Sequence, residues 1–377
     1  MQKQPWIWQH PDWPRLHWEA DALAPLLLQC VAAQARLLGM AGAIGADLDR
    51  QAQLDVLLQN IITSSEIEGE HLNVESVRSS LARRLDVPAA VTQRTSARSE
   101  GLAELMLDAT QQADIALTLQ RLLHWHALLF PEQEPLLLPR KIRVGALRGD
   151  EVMQVVSGRQ DRPVVHFEAP PGEGLAEQLN VFLTWFAASL SDATLPPLLR
   201  AGVAHFWFVT LHPFEDGNGR LTRALTDLAL AQSEPLAIRL YTMSASILDD
   251  RKGYYAILES SQKATPDITR WLQWFLQTLL DSLLGAQARI ERTLAEARFW
   301  QIHRGQGLSA EQIKVLNRLL DGGQRGFEGG LSAAHYQAVA KVSKATATRH
   351  LADLVEKGCL ERLPGAGRST RYQIKPA

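Results

Sequence analysis

Residues 211–225 read LHPFEDGNGRLTRAL, which sets a histidine, a carboxylate, two glycines and two arginines in one short stretch. Gly217 and Gly219 lack the Cβ that would hold a ligand off the backbone, so the bend they form is a cradle. Beyond it Leu221, Leu225 and Leu228 recur at helical spacing, which predicts that the bend opens into a helix. A helix N-terminus directs free N–H groups and the positive end of its dipole at an anion. Arg220 and Arg223 share one face and can reach the same polyanion, as a nucleoside polyphosphate requires. Asp216 offers an oxygen ligand to a Mg²⁺ ion bridging two phosphates. His212 leaves the apolar run AGVAHFWFVTL, and an imidazole is the side chain best matched to removing a proton near neutral pH. The parts together suit attack by a hydroxyl on a bound phosphate. Taken singly each has a plainer role, with His212 capping a core helix, the glycines marking helix boundaries and the arginines solvated.

His212, Phe214, Asp216, Gly217, Asn218, Gly219, Arg220 and Arg223 fill every fixed position of His-x-Phe-x-(Asp/Glu)-Gly-Asn-Gly-Arg-x-x-Arg, and the sequence thereby resembles the Fic family. The resemblance implies a protein adenylyltransferase that moves AMP from ATP to a Ser, Thr or Tyr hydroxyl of a protein target. In that frame His212 takes the hydroxyl proton during attack on the α-phosphorus, and Asp216 holds Mg²⁺. The amides of Gly217, Asn218 and Gly219 meet the growing phosphate charge, Arg220 and Arg223 hold the pyrophosphate, and Phe214 packs inward to fix this nucleotide loop. Tyr254, in DDRKGYYAILE, is expected to line the adenine pocket, with a buried core tyrosine as the equal alternative.

A second stretch, TSSEIEGE, sets Ser64 and Glu68 four apart on one helix face, followed by Gly69. By itself this is a helix C-terminus stopped by glycine. The resemblance implies more, because many Fic proteins carry (Ser/Thr)-x-x-x-Glu-(Gly/Asn) as an inhibitory motif. Glu68 is then expected to pair with Arg223, where a carboxylate competes with the γ-phosphate for one guanidinium fork.

The elements that must position these residues are mostly helical. Apolar spacing predicts helices from Ala22 to about Ala46, Asp47 to Ile67, Thr95 to Gln112 and Leu117 to Leu129, and a long amphipathic stretch ending near Trp300. Trp6, Trp8, Trp13 and Trp18, spread among prolines, read as a strap pinned onto the helical body by aromatics. The β-branched runs flanking Ser157-Gly158-Arg159-Gln160-Asp161 predict a hairpin. By resemblance it is the flap near residues 153–166 on which a protein substrate docks by strand addition, although Ala146-Leu147 departs from the bulky residue usual before an arginine. Residues 308–377 carry a net charge of +5 and have the rhythm of a winged helix. Ser343, Lys344, Thr346, Thr348 and Arg349 open its third helix, Arg368 and Arg371 stand near its wing, and DNA contact is expected through 343–371. The alternative is an interaction or dimerisation domain. The expected fold class is therefore mainly α, a Fic-type helical core with a β-hairpin flap plus a C-terminal winged-helix (α+β) domain. Its divisions are 1–95 for the Trp-rich inhibitory region, 96–300 for the catalytic core, 301–307 for a linker and 308–377 for the tail.

The 377 residues are 46% hydrophobic, long enough for two or three domains, and their formal net charge of −2 draws no global field toward nucleic acid or membrane. Cys30 and Cys359 make neither a disulfide framework nor a metal quartet and read as inert thiols. No leader and no run of eighteen apolar residues is evident, so a cytoplasmic address without a membrane partner is expected. ATP and Mg²⁺ are the expected cofactors, and a homodimer that regulates the inhibitory contact is compatible with the sequence. Three other readings stay open: removal of AMP from a modified protein at the same site, phosphoryl transfer with the nucleotide reversed, and a nucleotide-sensing transcriptional regulator.

Overall fold

Every residue from Leu198 to Leu211 is buried, so the helix Pro197–Leu211 is covered on all sides and forms the centre of the fold that surrounds it. The computed structural model describes residues 6–41, 46–88, 94–131, 142–159, 162–233, 240–263, 265–320, 327, 329–364 and 370–375. Gln160 and Asp161 of the expected hairpin turn, and Arg368 of the expected wing, lie outside these residues. In chain order the first part contains α1 Ala20–Ala41, α2 Ala46–Ile67, α3 Val74–Arg84, α4 Ala97–Gln111, α5 Leu119–Leu129, β1 Gln154–Arg159, β2 Arg162–Glu168 and α6 Leu175–Ala188. It continues with α7 Pro197–Leu211, α8 Asn218–Ala231, α9 Met243–Asp249, α10 Arg251–Gln262 and α11 Thr269–Ile302. The protein is thus mainly helical with a small hairpin.

Contacts divide the chain into Met1–Ala286 and Gln287–Ala377. The division falls inside α11 rather than at the expected 301–307 linker. A continuous helix gives no turn signal, and the glycines that do signal, Gly305 and Gly307 at positive φ, only end it.

Within the first unit α7 meets α11 closely because Gly202 has no side chain. A Cβ there would stand 2.8 Å from Leu272 Cδ2, and Trp271 Nε1 donates to the Gly202 carbonyl at 2.9 Å. The Trp strap packs as its composition suggests. Trp6 meets Phe167 edge-on at 5.5 Å, Trp8 Nε1 donates to the Glu168 carbonyl at 2.6 Å, and Trp13 lies 6.2 Å from Trp207. The hairpin is antiparallel, with Ser157 opposite Val164 and a bulge between Val155 and Val156. Among the described residues one helix, Ala20–Met40, is long and apolar enough to cross a membrane by length and composition alone. Its Leu23, Cys30, Ala33 and Leu37 are nonetheless buried in this unit, and the Cys30 thiol donates to the Leu276 carbonyl.

The second unit holds α12 Ala310–Leu320, α13 Ala333–Ala340, α14 Lys344–Glu356 and the antiparallel pair β3 Leu360–Arg362 and β4 Tyr372–Ile374. Val315, Leu316, Leu331, Tyr336, Leu351, Leu354 and Tyr372 form its core. Ser343 caps α14 by accepting the Thr346 amide, and Ser343, Lys344, Thr348 and Arg349 are exposed there.

Candidate active site

His212 ends α7 in the left-handed conformation, at φ 49° and ψ 57°, a region that non-glycine residues seldom occupy. Two contacts hold it. Its amide donates to Phe208 O, and its carbonyl accepts from Arg148 Nε at 2.8 Å. Arg148 also donates its own amide to Pro213 O and its Nη2 to Pro170 O, so it ties the two flanks of the hairpin segment to the bend after α7. The His212 Nδ1 faces Val209 O at 3.3 Å, which makes Nδ1 the donor and leaves the Nε2 lone pair for a proton. Burial pushes the imidazole down to about 4, opposed by the Val209 hydrogen bond and aided by the nearby Arg148 charge. The group is neutral at pH 7, as a general base must be.

The loop after it is stapled by Asn218. Its side-chain oxygen accepts the Phe214 amide at 2.9 Å and its nitrogen donates to Phe214 O at 2.8 Å, which closes the bend into the first turn of α8. Phe214 is fully buried and stacks on His126 at 4.3 Å, so it fixes the loop from beneath. His126 accepts the Gly145 amide at Nδ1, which makes its Nε2 the donor to Asp216 O. Gly217 sits at φ 81° with Leu129 and Phe130 packed against its α-carbon, a position where a side chain would be strained. The first intrahelical bond of α8 runs from Leu221 N–H to Gly217 O, so the amides of Asn218, Gly219 and Arg220 lie at the open mouth of the helix.

The C-terminus of α2 supplies the opposing charges. Glu70 N–H bonds to Ser65 O and Gly69 N–H to Glu66 O, with Gly69 at φ 81°, a Schellman turn whose flanking residues are Glu68 and Glu70. Glu68 Oε1 accepts from Arg223 Nη2 at 2.8 Å. Ser64 reinforces the pair, its hydroxyl accepting from Arg223 Nε at 2.8 Å and its carbonyl from Nη2 at 2.7 Å. A Cβ built on Gly219 would lie only 2.1 Å from Glu68 Oε1, so this carboxylate rests on the glycine bend itself. Desolvation raises the Glu68 carboxyl, but the charge and hydrogen bond of Arg223, joined by Arg220, outweigh it and hold the group below its ordinary value. Glu70 Oε2 pairs with Arg220 Nη1 at 2.7 Å and its other oxygen with Arg98.

Sequence reasoning placed Ser64, Glu68 and Gly69 beside Arg223, and the structure brings them together with the His212–Arg223 loop. Tyr254 is different. It is 1% exposed, with its hydroxyl 3.0 Å from His205 Nε2, so it is a core residue. Neighbouring helical residues point about 100° apart, and it is Tyr255 whose hydroxyl reaches Ile67 O and Glu68. Arg148, His126, Glu70 and Tyr255 carried no role in the sequence reading. The acid directly after Gly69 was the one local signal among them.

Two observations test the fit of a nucleotide and its metal. Buried Arg223 Nη1 and Arg220 Nε have no hydrogen-bond partner among the described residues, and unsatisfied buried donors of this kind suit an anion. Asp216 keeps a side chain 44% exposed beside the same bend, with Oδ1 taken by the Gly217 amide. Mg²⁺ commonly takes one or two carboxylates and fills its shell with phosphate and water. No group of three or more His, Cys, Asp or Glu that could hold a metal occurs among the described residues.

Residues 116–230 match the Fic/DOC family, and residues 6–87 match a domain of unknown function (DUF4172). The chain is 27% identical over 285 residues to protein adenylyltransferase Fic of Drosophila virilis, covering 71% of this chain and 55% of that one. Over 186 residues it is 28% identical to the protein of the same name from Drosophila melanogaster, covering 49% and 34%. It therefore spans between a third and just over half the length of these curated relatives. A crystal structure of a Fic family protein from Desulfovibrio desulfuricans G20 shares the fold at TM-score 0.52 and 20% identity, over 93% of this chain and 96% of that one. Residues 116–230 thus carry the Fic/DOC match, and the chain is similar to protein adenylyltransferase Fic.

Proposed function

We propose that the chain transfers AMP from ATP to a hydroxyl of a protein target, and that Glu68 and Glu70 restrain the reaction. The observation that carries this reading is the position of Glu68, whose carboxylate rests on Gly219 and Arg223, beside the neutral His212. A carboxylate there stands where a phosphate oxygen binds in the active form, since both use the same guanidinium fork.

In the reaction His212 Nε2 takes the target's hydroxyl proton as the oxygen attacks the α-phosphorus. The Pα–O–Pβ bond breaks and pyrophosphate leaves. The amides at the mouth of α8 meet charge growing on the phosphate oxygens. Arg220 and Arg223, once free of the two carboxylates, hold the leaving group. Asp216 would hold Mg²⁺, which neutralises phosphate charge when bound. The exposed hairpin receives the target segment by strand addition.

With α-labelled ATP and Mg²⁺, the parent is expected to label proteins weakly and Glu68→Gly strongly, the label vanishing in His212→Ala/Glu68→Gly. A Glu68→Gly variant that labels neither itself nor any protein in the lysate overturns the reading.

The second unit is proposed to be a winged-helix module that binds DNA. Supporting this are three helices followed by an antiparallel strand pair, and the exposed Lys344 and Arg349 at the start of α14. A DNA shift by the full chain that weakens with salt, and weakens further in Lys344→Glu, is the expected outcome. An unshifted DNA pool at low salt removes this part.

A further inference from the structure

The flap carries a chain of polar contacts that the reaction above does not use. Ser157 Oγ lies 2.6 Å from His166 Nε2, and His166 Nδ1 lies 2.7 Å from Glu259 Oε2 on α10. Across the hairpin Ser157 faces Val164, so its side chain shares a face with His166 two residues further on. The other Glu259 oxygen is paired with Lys263, whose ammonium also lies 5.4 Å from the Trp6 ring. Against the desolvation that would raise it, hydrogen bonds from Lys263 and His166 hold the Glu259 carboxyl below its ordinary range.

These contacts constrain the proton positions. An ionised Glu259 only accepts, so His166 Nδ1 must donate to it. With His166 in the tautomer that donates from Nδ1, its Nε2 lone pair is left to accept from the Ser157 hydroxyl. A hydroxyl, an imidazole and an orienting carboxylate in this order constitute an activated nucleophile. The tether between β2 and α10 needs only His166 and Glu259, so Ser157 is surplus to it. Ser157 is exposed, and Val152, Val156 and Val164 around it are exposed as well, which leaves the hydroxyl open to an incoming reactant.

We propose that Ser157 is a modification site, a self-activated hydroxyl that accepts AMP from a nucleotide bound in a second copy of this chain. The acceptor role rests on the proposed adenylyl transfer. The donor is a second copy because the hairpin is pinned to its own core by Trp6, Trp8 and Glu259. In the step the Ser157 Oγ–Pα bond forms, the Pα–O–Pβ bond breaks, pyrophosphate departs with the bonding pair, and the serine proton passes to His166 Nε2 and then to water.

Two experiments on the full chain test it. Diisopropyl fluorophosphate, applied to His212→Ala so that the nucleotide site is out of play, is expected to modify Ser157 with loss of fluoride. That reaction should slow about a hundredfold in His212→Ala/His166→Gln, the scale of general-base help. An unmodified Ser157 overturns its activation. In the second experiment Glu68→Gly/Ser157→Ala serves as donor and tagged His212→Ala as acceptor, with α-labelled ATP and Mg²⁺. AMP should appear on Ser157 of the acceptor, persist in a Ser157→Thr acceptor, and drop at least tenfold in a His166→Gln acceptor. Label elsewhere on either chain with Ser157 bare sinks this inference and spares the proposed function. A donor that labels nothing, itself included, sinks both, and the fluorophosphate result then decides only whether Ser157 is activated.

Discussion

Glu70 Oε2 stands 2.7 Å from Arg220 Nη1, one turn of backbone away from the Glu68–Arg223 pair, so both arginines of the glycine-loop helix are held by carboxylates from the end of α2. Glu70→Gln removes one clamp and leaves the other. Adenylylation by this variant is expected to exceed the parent's but fall short of that of Glu68→Gly, because Glu68 still lies on the phosphate cradle. The double variant should depart from additivity, since both carboxylates oppose one bound polyphosphate. Titrating labelled ATP against the three variants reads this directly, and a Glu70→Gln rate equal to the parent's would mean that Arg220 is not a restrained group.

Gly219→Ala is expected to disable the site without releasing it. The added methyl would meet Glu68 Oε1 at 2.1 Å and so push the carboxylate off the bend, yet it fills the same space the phosphate needs. In a Glu68→Gly background the methyl still meets Arg223 Nη1 at 3.2 Å, and ATP affinity measured by calorimetry should still fall. Undiminished ATP binding in Gly219→Ala/Glu68→Gly would show that the nucleotide does not approach this backbone.

In the proposed reaction His212 sets the acid limb of the rate. Its imidazole is pushed down to about 4, and Glu68 is among the groups that raise it, so the limb in Glu68→Gly should lie at or below that value. The value of kcat/KM is then flat from neutral pH down toward 4 and falls tenfold per unit beneath the limb, over whatever part of that range the fold survives. An inflection near 6.5 would instead mark a solvated imidazole.

Folding stability should respond to the same range through two other histidines. His126 is held down to about 4 and His205 to about 3, in both cases chiefly by burial, and both are fully buried. The unfolded chain binds their protons below about 6.5 while the folded chain does not, so stability drops as pH falls from there toward 4. Each group contributes on the order of 3 kcal/mol to that loss. Urea unfolding of the parent and of His126→Phe across this window is the measurement. The slope against pH should be shallower in the variant.

What could be read from the sequence was what local spacing determines. The loop from His212 to Arg223 and the pair Ser64 and Glu68 each lie within a few turns of backbone, where side-chain period and a terminating glycine fix direction. Groups that meet through the fold were not readable from spacing, and the Glu68–Arg223 pair, 155 positions apart, was expected only through the family resemblance. His126 reaches Asp216 across 90 positions, Arg148 reaches His212 across 64, and His166 reaches Glu259 across 93. Nothing in their surroundings in the chain encodes the partner. Tyr254 and Tyr255 show the limit within one helix, because the resemblance pointed to Tyr254 while the sequence left open whether that residue faces the core. The unit boundary inside α11 was unreadable because an amphipathic helix keeps its pattern while its packing partners change.

The Schellman turn at Gly69 gives the restraint a single hinge. One left-handed residue aims both acids, so fraying the last turn of α2 withdraws them in the same motion rather than one after the other. A state with one arginine freed and its neighbour still clasped is then expected to be sparsely populated, and a molecule that grips or unwinds that turn would work the proposed restraint as a toggle instead of a dial.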